Sequence, residues 1–205
     1  MKEQVVFVCT GNTCRSPMAE ALLRYYGGER FEVKSAGIFA NRGQEANRLA
    51  MEALKERKIS LSHQSQPITK ELMNWASVVL AMTQQHKQAL VMEYPIYIDK
   101  IYTLKEFVYE KTGKSQVWVD LQQAIMEREE AMLDVIQIVK KPNISENEKK
   151  EAHDRLLKAE TRVKTLEEDM PNYDIHDPFG SDLNEYRSVC RELETLIHQW
   201  LEKTV

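Results

Sequence analysis

Cys9 and Arg15 are separated by five residues in the run Cys9-Thr10-Gly11-Asn12-Thr13-Cys14-Arg15-Ser16. In a compact loop of this length the backbone N–H groups turn inward as a nest, and a helix starting beside it adds its positive end. That concavity fits a phosphate dianion. The same field favours a thiolate, so Cys9 is expected to ionise below the ordinary thiol value of about 8.5. Arg15 offers a planar fork for two phosphoryl oxygens, and the Ser16 hydroxyl can donate to the Cys9 sulfur. A structural cysteine in a Gly-containing turn is the bland alternative, but the flanking sequence speaks against it.

Val5-Val6-Phe7-Val8-Cys9 is a continuous apolar run that reads as a buried parallel strand. Ser16-Pro17 opens a helix with Met18, Ala21, Leu22 and Tyr25 at helical spacing, and Gly27-Gly28 ends it. The alternation continues with a strand at 31–35, an amphipathic helix at 46–58, a short helix from Thr69, a strand at 77–82, a helix at 83–92 and a fourth strand within 97–104. A last helix over 182–202 carries Leu183, Tyr186, Val189, Cys190, Leu193, Ile197 and Leu201 on one stripe. This pattern predicts an α/β fold, a parallel sheet with right-handed crossovers.

Between Gly113 and Gly180 there is no glycine, and the period changes. Trp118, Leu121, Ile125, Met132, Val135 and Val139 alternate three- and four-residue steps, interrupted by Arg128; after Lys141-Pro142-Asn143, Ala152, Leu156, Ala159, Val163, Leu166 and Met170 repeat the spacing. Ser145 and Glu148 form a capping-box signature. The expectation is an antiparallel helical hairpin, 116–170, inserted into an α/β domain made of 1–115 and 171–205. It carries nine Lys/Arg against thirteen Asp/Glu, the whole net charge of −4, and reads more simply as a solvated surface than as an acidic binding face. Its apolar seam leaves self-association or partner binding open.

The 42% hydrophobic and 29% charged composition is that of a globular protein. No apolar run is long enough for a membrane span, and the start, Met1-Lys2-Glu3-Gln4-Val5, does not look like a signal peptide, so a cytoplasmic address and no membrane partner are expected. The net charge argues against nucleic acid. Three cysteines suggest no disulfide framework, and no Cys/His spacing suits zinc; no cofactor is expected. Cys14 stands near enough to Cys9 in sequence for a reversible disulfide that would inactivate the thiolate, or it is simply a small buried residue.

On the loop through Pro17, the triplet Ser35-Ala36-Gly37 and the pair Asp177-Pro178, residues 1–110 and 172–205 resemble the low-molecular-weight protein tyrosine phosphatase family. The resemblance implies a four-stranded parallel sheet flanked by helices and a phosphocysteine intermediate formed on Cys9. It also implies Asn12, Ser16 and Ser35 as loop supports, with Asp177 as general acid and then base; the hairpin has no counterpart in the family pattern. Asp174 is a neighbouring decoy, and His176 reads as a surface or rim residue.

Thr13 sits where the tyrosine phosphatases usually carry a larger aliphatic residue, and its wall is smaller and polar. With Leu80-Ala81-Met82-Thr83 and Asp177-Pro178-Phe179-Gly180, the run looks like the bacterial protein arginine phosphatases. Phosphoarginine presents guanidinium N–H groups, for which Asp177 and the Thr13 hydroxyl are acceptors, and Phe39 and Phe179 are candidate cleft walls. The expected function is hydrolysis of phosphoarginine on protein substrates. Phosphotyrosine is the alternative, and the remaining readings are an arsenate reductase, which would need further cysteines beside the site, and a noncatalytic phosphate-binding adaptor.

Overall fold

Residues 5–8 are fully buried on both faces because their strand lies at the centre of a sheet. The computed structural model describes residues 2–111, 116–140, 144–169 and 171–203. Strand β1 (Glu3–Cys9) is followed by helix α1 (Arg15–Gly27), β2 (Phe31–Gly37), α2 (Arg48–Lys55), α3 (Lys70–Trp75), β3 (Val78–Ala81), α4 (Gln84–Glu93), β4 (Ile101–Thr103) and α5 (Leu104–Lys111). The sheet is parallel throughout, in the order β2-β1-β3-β4, with Cys9 paired to Gly37 at its carboxyl end. Alternation along β1 separates two cores. Val5, Phe7 and Cys9 face Met18 and Leu22 of α1 together with Tyr186, Leu193 and Trp200 of the last helix, while Val6 and Val8 face Met73 of α3 and Leu90 of α4. Each such side chain contributes about 1.5–3 kcal/mol on burial, so the loop after Cys9 springs from the most strongly anchored strand.

Local signals set the boundaries. Asn47, Thr69 and Thr83 each cap a helix through a side-chain oxygen, which starts α2 and α4 later than the apolar pattern suggests. Tyr25, expected on the inner face of α1, is exposed. The fourth strand is shorter than expected because Pro95–Lys100 forms a 3₁₀ segment and Thr103 ends the strand. Thr103 Oγ1 accepts from Glu106 N and Glu106 Oε2 from Thr103 N, both at 3.1 Å. This reciprocal cap starts α5, a helix the apolar periodicity did not reveal.

The chain divides into two compact units, Met1–Thr112 with Tyr173–Val205, and Gly113–Asn172. In the second, α6 (Gln116–Lys140) packs on α7 (Glu146–Glu168) through Leu121, Ala124 and Val163, with Ile125 and Leu166 beside them. The ion pairs Glu127–Arg162 (2.5 Å) and Asp134–Arg155 (3.2 Å) advance along one helix as they retreat along the other, which makes the pair antiparallel. The Ser145–Glu148 capping box is formed, and Met132, expected in the seam, is exposed. The expected Lys141-Pro142-Asn143 turn and Met170 lie outside the described residues, as do the side chains of Trp118 and Val139. The first unit closes with α8 (Leu183–Lys203), whose stripe of Tyr186, Val189, Cys190, Leu193, Ile197 and Leu201 is buried. Among the described residues no helix is long and apolar enough to cross a membrane.

Candidate active site

The loop between β1 and α1 closes around the Cys9 sulfur. Asn12 has a left-handed backbone (φ 55°), which aims its N–H at Cys9 Sγ, 3.3 Å away. Ser16 Oγ lies 3.0 Å from the same sulfur. A thiolate carries only lone pairs, so Ser16 donates to it; the other acceptor within its reach is Ala36 O at 3.3 Å. Two hydrogen-bond donors thus converge on the sulfur beside the start of α1 at Arg15.

Asn12 is fully buried, and its amide organises the loop. Its Nδ2 donates to Ser16 Oγ (3.0 Å) and Ser35 Oγ (2.8 Å), and its Oδ1 accepts from Gln66 N (2.9 Å). The left-handed φ would cost most residues about a kilocalorie per mole or more; Asn tolerates it, and this hydrogen-bond set holds it there. Ser35 Oγ in turn donates a hydrogen bond to Glu20 Oε2, and Glu20 is paired with Arg24 at 2.6 Å. His63 Nε2 donates to Asn12 O (2.8 Å) while its Nδ1 faces Glu20 Oε2 at 4.0 Å. Glu20, His63 and Gln66 are supports the motif did not reveal. The signal for Glu20 is a polar stripe, Ser16, Glu20 and Arg24, at four-residue steps along an otherwise apolar helix.

Arg15 is buried and ties the loop to the distant Asp177 segment. Its Nη1 donates to Ile175 O (3.2 Å) and its Nη2 to Asp177 Oδ2 (2.5 Å). Arg15 Nε is buried with no hydrogen-bond partner among the described residues. The Asp177 segment is fixed by Ile175 N donating to Met82 O (2.8 Å) at the end of β3. Asp177 Oδ1 accepts from Phe179 N (3.2 Å), so both carboxylate oxygens are engaged while 48% of the side chain stays exposed. Asp174 Oδ1 instead accepts from Gln84 N at the start of α4. His176 is exposed beside Glu185 at 3.9 Å.

Cys9, Thr10, Gly11, Thr13, Cys14, Arg15, Asp177 and Phe179 line one cleft of about 720 Å³, joined by Gln44, Glu45 and Asn47. Of the other candidates, Asn12, Ser16 and Ser35 are buried and bonded to one another rather than lining the cleft, and Phe39 is 80% exposed and not among the lining residues. Cys14 is buried with Sγ 3.4 Å from Tyr186 Oη, and burial raises its thiol pKa. Cys190 is buried within α8 and pushed up to about 11 by desolvation, so it is no accessible thiolate. Among the described residues no group of three or more His, Cys, Asp or Glu is placed to hold a metal ion.

His86 is another residue the sequence did not single out. Its Nε2 shares a 2.9 Å hydrogen bond with Thr10 Oγ1 and its Nδ1 a 2.8 Å bond with Thr83 Oγ1. Burial, helped by the Arg15 charge, pushes it down to about 4 from the usual 6.5. Between these values the unfolded chain binds a proton that the folded one refuses, so stability rises with pH across this window and the contribution is lost by about pH 4. The full effect is about 3 kcal/mol. Thermal unfolding midpoints measured from pH 7 to 4.5 should fall more steeply for the wild type than for His86→Gln; parallel slopes would contradict the assignment.

A strand, a cysteine-to-arginine loop, a helix, and an acid returning on a late loop over a parallel sheet define a cysteine-dependent phosphatase scaffold. Residues 4–136 match the model of the low molecular weight phosphotyrosine protein phosphatase family, and the chain belongs to that family. It is 52% identical over 112 residues to a protein-arginine-phosphatase of Bacillus subtilis, covering 53% of this chain and 75% of that protein. It is 36% identical over 203 residues to a protein-arginine-phosphatase of Geobacillus stearothermophilus, covering 99% of this chain and 97% of that one. A solved structure of the arginine phosphatase YwlE, a cysteine-to-serine variant with a phosphorylated active-site serine, superposes with TM-score 0.65 at 33% identity, covering 97% and 93% of the two chains.

Proposed function

We propose that this protein hydrolyses phosphoarginine on protein substrates through a phosphocysteine at Cys9. A phosphoryl group entering the loop meets inward N–H groups and the unpartnered Arg15 Nε–H. It also competes with Asp177 for the Arg15 fork. Its arrival frees the Asp177 carboxyl to swing toward the leaving group. Cys9 Sγ attacks phosphorus, the P–N bond breaks, and Asp177 delivers the proton that nitrogen needs. Water then attacks the phosphocysteine with Asp177 taking its proton, and Ser16 stabilises the departing thiolate.

The observation that favours arginine over tyrosine is the cleft wall. Thr13, Gln44, Glu45 and Asn47 are polar, and Phe179 is the one aromatic among the described lining residues. A flat phenyl ring gains from apolar walls on both faces, whereas guanidinium N–H groups need acceptors. The two relatives named as protein-arginine-phosphatases support the same choice. Thr13 is held in place because its carbonyl accepts from Asn47 N at 2.8 Å, so a change there alters the wall rather than the loop. The test is hydrolysis of phosphoarginine and phosphotyrosine peptides of matched sequence by wild type and Thr13→Ile. The wild type should prefer phosphoarginine, and the variant should shift the kcat/KM ratio toward phosphotyrosine by about tenfold or more. A wild-type preference for phosphotyrosine would overturn the assignment.

A further inference from the structure

Glu45 brings a second carboxylate into the cleft, and the catalytic scheme leaves it without a role. Its backbone is rigidly placed. Glu45 pairs with Gln64 in an antiparallel bridge. Beside it, Gln44 N donates to Ser65 Oγ (3.0 Å), Gln44 O accepts from Ser65 N (2.8 Å) and Gly43 N donates to Ser65 O (2.9 Å). Two residues on, Asn47 N holds Thr13 O of the catalytic loop. The Glu45 side chain is exposed to the cleft it lines. Among the described residues no hydrogen bond or ion pair engages its carboxylate, although Arg42 and Arg48 are near in sequence.

A negative charge in a cleft that must receive a phosphoryl dianion repels it. Asp177 escapes this problem because Arg15 neutralises it and its proton is used. Glu45 has neither excuse, so its charge helps only a substrate that carries a cation within reach. From the position and the missing partner we infer that Glu45 is a specificity-determining residue that pairs with a positive charge on the substrate. That charge is carried either by the phosphorylated guanidinium itself or by a basic side chain next to it in the peptide. The inference rests on the reading that the cleft hydrolyses phosphoarginine, and it adds a second recognition group on the wall carried by residues 43–47.

Three substrates separate the possibilities: blocked phosphoarginine as a single amino acid, phosphoarginine peptides with Arg or Gln beside the modified residue, and phenyl phosphate. Glu45→Gln should lower kcat/KM about fivefold for the cationic substrate it reads, and raise it slightly for phenyl phosphate because a repelling charge is gone. The loss should shrink at about 0.5 M salt. A loss shared by the blocked amino acid assigns the charge to the guanidinium, and a loss confined to the Arg-flanked peptide assigns it to the neighbour; either upholds the role. No change, or one of the same sign and size for every substrate including phenyl phosphate, overturns it. Should the wild type hydrolyse only phosphotyrosine, the functional reading fails by itself. The Arg-versus-Gln flank comparison, repeated on phosphotyrosine peptides, then decides the role of Glu45.

Discussion

Arg15→Lys should reduce kcat by about a thousandfold while leaving the fold intact. The substitution keeps the positive charge, so the expected loss measures geometry. Arg15 engages two partners at once, Nη1 on Ile175 O and Nη2 on Asp177, and its buried Nε–H has no partner among the described residues. A lysine has one nitrogen on a flexible stem and cannot span these positions. Two charge-assisted hydrogen bonds of about 1.5–3 kcal/mol each are then missing when charge spreads over the phosphoryl oxygens, and each 1.36 kcal/mol is a factor of ten in rate. The loss belongs in kcat more than in KM, because the backbone N–H groups and the retained charge still bind the ground-state phosphate. The Asp177 segment, held by Ile175 N to Met82 O independently of Arg15, should stay folded, so the thermal midpoint should move by only a few degrees. Steady-state kinetics with a phosphoarginine peptide decide the matter. A lysine enzyme with more than a tenth of the wild-type kcat would show that the fork is not used in the transition state.

The same contacts hold the Asp177 carboxylate against the Arg15 fork. Asp177 sits in the fork that a phosphoryl group would claim, and Arg15 is thereby shielded from other anions. In the proposed mechanism, loading the site would exchange one anion for another on the same guanidinium and so couple substrate arrival to release of the acid. The coupling needs no movement of the loop, only a side-chain rotation of a residue that is half exposed.

Cys9 and Arg15 were legible because the chemistry is local: spacing, strand and helix all lie within the first turns of the fold. Asp177 was not legible from spacing, since it lies 162 residues beyond Arg15, and only the resemblance placed it. Glu20, His63, Gln66 and His86 were missed for a related reason. Parallel crossovers carry each strand back to the same edge, so supports from helix, loop and helix converge under one loop although they lie far apart in sequence. Helices α6 and α7 were readable because their period and the Ser145–Glu148 capping box are local. Their second-rank detail, the exposure of Met132, depended on which side of α6 meets α7. Glu45 carries no pattern at all, and only the cleft gives it meaning.

Gly37→Ala should damage the site more than Gly11→Ala inside the loop. The Ser35-Ala36-Gly37 triplet was recognisable as a motif, but its physical reason lies in the contact between β2 and the loop. A Cβ on Gly37 would stand 2.5 Å from Thr10 O, 2.9 Å from Asn12 N and 2.9 Å from Ala40 Cβ. Two of these are backbone atoms of the loop and cannot rotate away. Thr10 O already accepts from Phe39 N (2.9 Å), and Asn12 N is the donor to Cys9 Sγ, so relief by a few tenths of an ångström pulls directly on the nucleophile. Overpacking of this kind costs about 1–3 kcal/mol, which corresponds to a thermal midpoint lower by roughly 2–12 °C. A displacement approaching an ångström at the reacting atoms costs about a hundredfold in rate. At Gly11 the added methyl meets only Thr13 Oγ1, at 3.8 Å, and φ is not positive, so Gly11→Ala should leave the midpoint within about 2 °C, since nothing is overpacked. Melting curves and single-turnover rates for the two variants make the comparison. A Gly37→Ala enzyme with wild-type midpoint and rate would mean that the loop yields where the structure shows it clamped.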